Sequence, residues 1–213
     1  MLQTRTARIC YLVLLATALV LVSSMAVAQE IPDDVYFVSY YSNAHNTSNA
    51  DAKVRVVNPG TANGRNLCAD IYVFDNTEQL LECCGCTTTP DDLRTISVDK
   101  DLTSNSGNGQ PLTNGVIKVV SANANPRGGV ICDPTGGNTI GTIRDNIVPV
   151  ADLRVWATHI QLPFTGSTKV ATTEEEFASS TLTQSELNFL QETCFGVQIL
   201  GSGKGVCSCG FGR

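Results

Sequence analysis

The sequence predicts a mainly β protein: an antiparallel β-sandwich, immunoglobulin-like or jelly-roll-like, with one short C-terminal helix and disulfide cross-links. Three observations predict this fold. Many short segments of β-branched and aromatic residues are separated by turn clusters such as Asn63-Gly64 and Pro134 to Gly137. Helix start signals stand out at one place, near the C-terminus. Nine cysteines occur in 213 residues, and five of them lie in two tight clusters.

Residues 1–28 are predicted to be a secretory signal peptide that is removed from the mature chain. Two arginines precede an apolar segment over residues 10–22, and Ala26-Val27-Ala28 fits the small-residue cleavage pattern. The apolar segment is too short to cross a bilayer comfortably, although an uncleaved anchor is the alternative. We therefore expect a single domain over residues 29–213 that is extracellular, on the cell surface or in the periplasm, with no membrane contact after cleavage.

The charge balance excludes one class of partner. After removal of residues 1–28, 12 basic and 20 acidic residues remain, which gives a net charge of −8. A chain this acidic has little to neutralise phosphates, so a nucleic-acid partner is not expected. The partner is otherwise unknown. Self-association and an extracellular glycan are the open possibilities.

Eight segments are predicted to be strands because their residues are β-branched or aromatic, or alternate with a period of two. The turn Asp75-Asn76-Thr77-Glu78 is predicted to join two of them as a hairpin, whose register the sequence leaves open. The Glu174-Glu175-Glu176 run is interpreted as a solvated edge or loop. The predicted strands cover residues 35–41, 53–56, 69–74, 79–84, 93–98, 116–120, 140–150 and 153–162.

One helix is predicted over residues 183–195. Thr183 and Glu186 fit a capping box, in which Glu186 reaches back to the start of the helix, and Gly196 supplies a stop. We expect the apolar face to pack on a sheet, with a recognition helix as the alternative. Three residues share that face: Leu187, Leu190 and Cys194.

The cysteines carry the strongest chemical signal. Removal of the signal peptide takes Cys10 and leaves eight, an even number in an exported chain, which predicts disulfides. In extended segments, alternate residues point to one face. Cys84 and Cys86 are therefore predicted to bond side by side to Cys207 and Cys209, which lie in a tail over residues 201–213. Cys83 points the other way, and its partner is one of three: Cys68, Cys132 or Cys194.

A metal–thiolate site is the alternative interpretation of the same cysteines. The spacing differs from that of a zinc ribbon, neither histidine lies near the clusters in sequence, and an exported chain meets an oxidising compartment. We therefore expect neither a metal nor a cofactor there. Asp99 and Asp101 are weak calcium candidates, because their loop lacks the Gly and Glu of an EF-hand and turn chemistry explains it more simply.

No catalytic residues are predicted, and the chain is not expected to be an enzyme. His159 is the better of two candidate bases for a hydrolase triad, with Asp152 or Ser121 as partners. The G-x-S-x-G turn of serine hydrolases does not accompany it. A half-buried strand histidine is the simpler interpretation.

The sequence resembles a group of uncharacterised secreted, cysteine-rich bacterial proteins over about residues 54–120. The resemblance rests on Leu67-Cys68-Ala69-Asp70-Ile71-Tyr72-Val73-Phe74-Asp75, followed by Glu82-Cys83-Cys84-Gly85-Cys86 and Thr89-Pro90. It implies export and a bacterial host, and it implies no activity.

These features predict a secreted or cell-surface protein with a structural or interaction role. An extracellular carbohydrate- or calcium-binding module is the alternative. A lower alternative is a filament subunit, in which residues 35–41 add to the sheet edge of a neighbouring copy. Internal pairing of that segment is the more ordinary expectation.

Overall fold

A computed structural model describes residues 31–48, 50–124, 132–137, 147–161 and 170–210. The predicted signal peptide lies outside these residues, as do residues 140–146 and 162 of two predicted strands. Residues 147–150 form no strand and contribute one isolated bridge, between Pro149 and Ala122.

Two antiparallel sheets confirm the predicted mainly β sandwich. The five-stranded sheet has the order β4-β3-β6-β1-β9, and the four-stranded sheet has the order β5-β2-β7-β8. The strands are β1 (Tyr36–Tyr41), β2 (Lys53–Asn58), β3 (Leu67–Asp75), β4 (Leu80–Thr88), β5 (Asp92–Ser97), β6 (Gly115–Asn123), β7 (Arg154–Gln161), β8 (Ala171–Glu176) and β9 (Ala178–Ser179). A π-helical turn spans Val98–Leu102, and one α-helix, α1, spans Gln184–Leu200.

The fold has three layers, because successive side chains of a strand point to opposite faces of its sheet and the five-stranded sheet is covered on both faces. In β2, Val54 and Val56 are fully buried between the sheets while Arg55 is half-buried on the outside. In β3, the first eight of nine residues are buried, because both faces of this strand are covered. Ile71 belongs to the core between the sheets, and Tyr72 belongs to a second core beneath α1. The helix is therefore a third layer on the five-stranded sheet.

The start of α1 is capped as predicted, but Glu186 has a different role. The Thr183 hydroxyl accepts a hydrogen bond from the Glu186 amide at 3.1 Å. The Glu186 carboxylate points to the sheet, where its Oε1 accepts hydrogen bonds from Tyr36 Oη at 3.0 Å and Lys118 Nζ at 2.6 Å. The carboxylate therefore attaches the first turn of the helix to β1 and β6.

The helix ends at Leu200, five residues beyond the predicted end. Gly196 does not stop it, since one glycine inside a helix costs only about 1 kcal/mol relative to alanine. Val197 packs against the core beneath α1, which favours continuation. The backbone N–H of Gly201 bonds to the Val197 carbonyl at 2.8 Å and forms the C-cap.

Thr183→Ala is expected to lower the free energy of unfolding by about 1 kcal/mol, because an amide of the first turn loses its acceptor. Urea denaturation of the two proteins measures the difference. Thr183→Ser keeps a hydroxyl and serves as the matched control. A Ser variant as unstable as the Ala variant would contradict the capping role.

Two strands bear on predictions made from sequence. β1 pairs with β6 over six residue pairs and with β9 over two, so the segment pairs internally in this structure.

β8 contains the Glu174-Glu175-Glu176 run and is an edge strand with every side chain exposed. The interpretation of that run as a solvated edge is confirmed.

The hairpin between β3 and β4 fixes the orientation of the cysteines. Asp75 Oδ1 accepts hydrogen bonds from the amides of Thr77 and Gln79 at 2.8 and 3.0 Å, and Glu78 adopts a φ of +65° in place of a glycine. A register shift follows between Val73 and Phe74. Beyond it, Cys84 lies opposite Ile71, and Cys83 lies opposite Tyr72.

Candidate functional site

Four disulfides cross-link the fold, and two of them are the predicted side-by-side pair. Cys84 bonds to Cys207 and Cys86 bonds to Cys209, because both β4 cysteines face the core between the sheets. Cys83 faces the opposite side of β4 and bonds to Cys194 on α1. The remaining pair is Cys68–Cys132.

The tail runs beside β4 as an additional extended segment. Val206 bridges Cys83 in parallel, the Cys83 amide donates to the Gly205 carbonyl at 3.0 Å, and the Cys207 amide donates to the Cys83 carbonyl at 3.3 Å. Arg94 on β5 donates to the Cys209 carbonyl at 3.3 Å. The tail therefore covers an edge of the five-stranded sheet and contacts the other sheet.

A buried carboxylate supports the loop that holds this tail. Glu82 is fully buried, and its Oε1 accepts a hydrogen bond from the Asn105 amide at 2.9 Å. Burial raises the pKa of Glu82 to about 8, and the Asn105 hydrogen bond opposes that shift only in part. Asn105 in turn bonds to the tail, through its carbonyl to the Gly205 amide and through Nδ2 to the Val206 carbonyl.

The positions of three cysteine sulfur atoms test whether the clustered cysteines could form a metal–thiolate site. Within the described ranges, one group of three or more metal-ligating side chains has its ligand atoms within 4.8 Å of one another: Cys84, Cys86 and Cys209. All three are in disulfides. Their closeness follows from two adjacent bridges, and a disulfide sulfur is not the thiolate that binds zinc.

The two calcium candidates take part in loop hydrogen bonding. Asp99 Oδ1 accepts from the His45 amide at 3.0 Å. Asp101 Oδ2 accepts from the Ser97 amide at 2.9 Å, and its Oδ1 accepts from the Ser208 hydroxyl in the tail. Both carboxylates therefore join loops, and calcium binding by them stays a prediction.

The structure does not bring the candidate triad together. His159 is 2% exposed, stacks on Tyr40 with ring centroids 4.0 Å apart, and has Nε2 3.7 Å from Glu175. Burial lowers the pKa of His159, and the charge of Glu175 opposes that shift. The other two side chains bond elsewhere: Ser121 donates to the Val150 carbonyl, and Asp152 accepts from the Thr61 hydroxyl.

The outer face of the four-stranded sheet is the candidate binding surface, and we call it the open face. Val155 and Ala157 of β7 are buried between the sheets, so Trp156 and Thr158 point outward. Leu93 on β5 is 57% exposed. The side chains of this face are half-buried or exposed: Arg55, Val57, Leu93, Thr95, Arg154, Trp156, Thr158, Glu174 and Glu176.

Polar groups hold fixed positions around the indole on the open face. Trp156 lies opposite Arg55 on one side and Glu176 on the other. The Arg55 guanidinium donates to Thr158 Oγ1 at 3.0 Å and to Glu174 Oε1 at 2.8 Å. The open face thus offers an aromatic surface beside oriented donors and acceptors.

Sequence reasoning did not find the open face. Trp156 is the sole tryptophan, and its alternation with Val155 and Ala157 was the available signal. Its neighbour Arg55 lies about a hundred residues earlier in sequence, and Glu176 lies on β8, which was not predicted to be a strand, so neither pairing could be predicted from the sequence.

No family model, curated protein or solved structure matches this chain. The resemblance to uncharacterised secreted bacterial proteins therefore stays a prediction. None of the helices in the described part of the chain has the length and apolar character needed to span a membrane. The four disulfides are consistent with an extracellular protein, because such bonds persist in oxidising compartments.

Proposed function

We propose that this chain is a secreted, non-enzymatic interaction protein whose binding surface is the open face. One observation carries the proposal: the outer faces of the two sheets differ. The outer face of the five-stranded sheet packs against α1 through buried side chains such as Tyr36, Tyr72 and Val120, and a disulfide joins sheet and helix. The open face presents Trp156 and Leu93 among charged side chains instead.

An uncharged oligosaccharide is the ligand that best fits the chemistry of the open face. An indole packs against the C–H surface of a sugar ring, while fixed polar groups bond to its hydroxyls. On the open face Arg55 and Arg154 balance Glu174 and Glu176, and Lys53 at the start of β2 is paired with Asp51. The net charge of −8 for the mature chain disfavours a polyanionic ligand.

Trp156→Ala is expected to reduce binding of a neutral oligosaccharide by at least about tenfold, which corresponds to about 1.4 kcal/mol. Calorimetric titration with glucan, xylan, mannan and chitin oligomers measures the affinities. Phe189→Ala is the matched control, because Phe189 is a half-exposed aromatic residue on α1. Undiminished binding by Trp156→Ala would contradict the placement of the site, and no binding to any oligomer would contradict the glycan assignment.

Strand exchange into a filament is a weaker alternative. It requires β1 to leave its place between β6 and β9, where it forms eight residue pairs. Size-exclusion chromatography at high concentration separates the two cases. A monomer supports internal pairing, and a concentration-dependent polymer supports exchange.

A further inference from the structure

Asp70 is a buried carboxylate that the proposed function does not use. It lies in the middle of β3 on the face beneath α1, opposite Gly85 on β4 and Val120 on β6. Its exposure is 1%, and Oδ1 has no hydrogen-bond partner. Burying a charged group without a partner costs several kcal/mol. A carboxylate in this position therefore indicates a ligand or a bound proton.

A short loop, residues 132–137, places a carbonyl oxygen beside Gly85, the residue that lies opposite Asp70. The bridge Cys68–Cys132 anchors the loop two residues from Asp70 on the same strand face. A Cβ added to Gly85 would lie 2.5 Å from the Cys132 carbonyl oxygen, so the absence of a side chain there lets the carbonyl approach. The Cys132 carbonyl therefore lies beside Gly85, which pairs with Asp70 across the two strands.

Asp133 is the next residue of this loop, and its carboxylate is close enough for its charge to act on Asp70. Its Oδ1 accepts from the Thr135 amide at 2.9 Å and the Thr135 hydroxyl at 2.6 Å, which fixes the side chain. Burial and the charge of Asp133 raise the pKa of Asp70 to about 8. Within the described ranges, no lysine or arginine forms an ion pair with either aspartate.

A second buried group without a partner lies against this loop. Gln191 on α1 is 2% exposed, and its Nε2 has no hydrogen-bond partner. The Gln191 side chain packs closely on Gly136 of the loop: a Cβ added to Gly136 would lie only 2.7 Å from the side-chain amide carbon of Gln191. Tyr72 also bonds to the loop, through its hydroxyl and the Pro134 carbonyl at 2.8 Å.

We propose that Asp70 and Asp133 bind one calcium ion beneath the loop, with the Cys132 carbonyl as a further oxygen ligand. Calcium takes six to eight hard oxygen ligands, and it tolerates irregular geometry better than magnesium does. The ion compensates the buried charge of Asp70 and links β3 to the loop. Extracellular calcium modules bind with a Kd of about 10⁻⁴–10⁻³ M, and we expect a similar value here.

Calcium is expected to raise the Tm of the mature protein by about 3–6 °C at ten times the Kd. Differential scanning calorimetry with calcium chloride, and with a chelator, measures this shift. Asp70→Asn and Asp133→Asn each keep the shape of the side chain and should abolish the shift. Circular dichroism and a thiol count verify that both variants fold.

Asp99→Asn and Asp101→Asn are the matched controls, because these acids lie in a different loop. Both should keep the calcium-dependent shift. No shift in the wild-type protein, or a shift that survives in Asp70→Asn, would overturn the proposal. A shift lost only in the two control variants would place the ion in the other loop and would also overturn it.

Discussion

Replacing Cys83 and Cys194 together by alanine is expected to lower the free energy of unfolding by about 2–5 kcal/mol. Their bridge joins β4 to α1 across 111 residues of sequence, and both cysteines are fully buried. Without it, the unfolded chain gains conformational freedom, and the core beneath α1 loses two sulfur atoms. Urea denaturation at neutral pH without reductant measures the change.

The matched control for this variant removes a different bridge. Cys86→Ala with Cys209→Ala frees the end of the tail, while Cys84–Cys207 still holds it to β4. We expect a smaller loss of global stability and faster amide exchange in the last residues of the tail. An unchanged urea midpoint for Cys83→Ala with Cys194→Ala would contradict a structural role for the helix bridge.

The free energy of unfolding is expected to decrease as the pH rises from 5 to 9. Asp70 and Glu82 both have a pKa of about 8 in the folded protein, above their ordinary values of 3.8 and 4.5. The folded state therefore binds more protons than the unfolded state in this interval, so raising the pH favours unfolding. Each pKa unit of difference corresponds to about 1.4 kcal/mol, which gives a decrease of several kcal/mol.

Glu82→Gln isolates one of the two contributions. Glutamine keeps an oxygen for the Asn105 amide and cannot ionise, so the decrease with pH should be about half as large. Glu78→Gln, at an exposed turn position, should leave the pH dependence unchanged. Urea denaturation in calcium-free buffer at pH 5, 7 and 9 measures all three proteins. Constant or rising stability over that interval would contradict the burial of these carboxylates.

Cysteine spacing was sufficient to predict that Cys84 and Cys86 bond to Cys207 and Cys209, and the structure adds which cysteine bonds to which. In a C-x-C segment that is extended, both sulfur atoms point to one side, whatever the rest of the fold does. The partner of Cys83 was not predictable in the same way. It depends on the register shift between Val73 and Phe74 and on where α1 lies, and both are tertiary features.

Two features could not be predicted from local sequence patterns: the strand β8 and the burial of Asp70. β8 has no buried side chain, so its sequence shows no alternation of apolar and polar residues. Asp70 sits in a strand-like segment, where an aspartate would ordinarily face water. It is buried because the loop of residues 132–137 and α1 lie over that face of the sheet.

The central claim is that the eight cysteines from Cys68 to Cys209 are oxidised into four specific bridges. Non-reducing peptide mapping by mass spectrometry, together with titration of free thiols, tests it most directly. For the part of the chain that the structure describes, we expect no free cysteine thiol and four linked pairs: Cys68–Cys132, Cys83–Cys194, Cys84–Cys207 and Cys86–Cys209. Free thiols at Cys207 and Cys209, or a different set of linked peptides, would contradict the account.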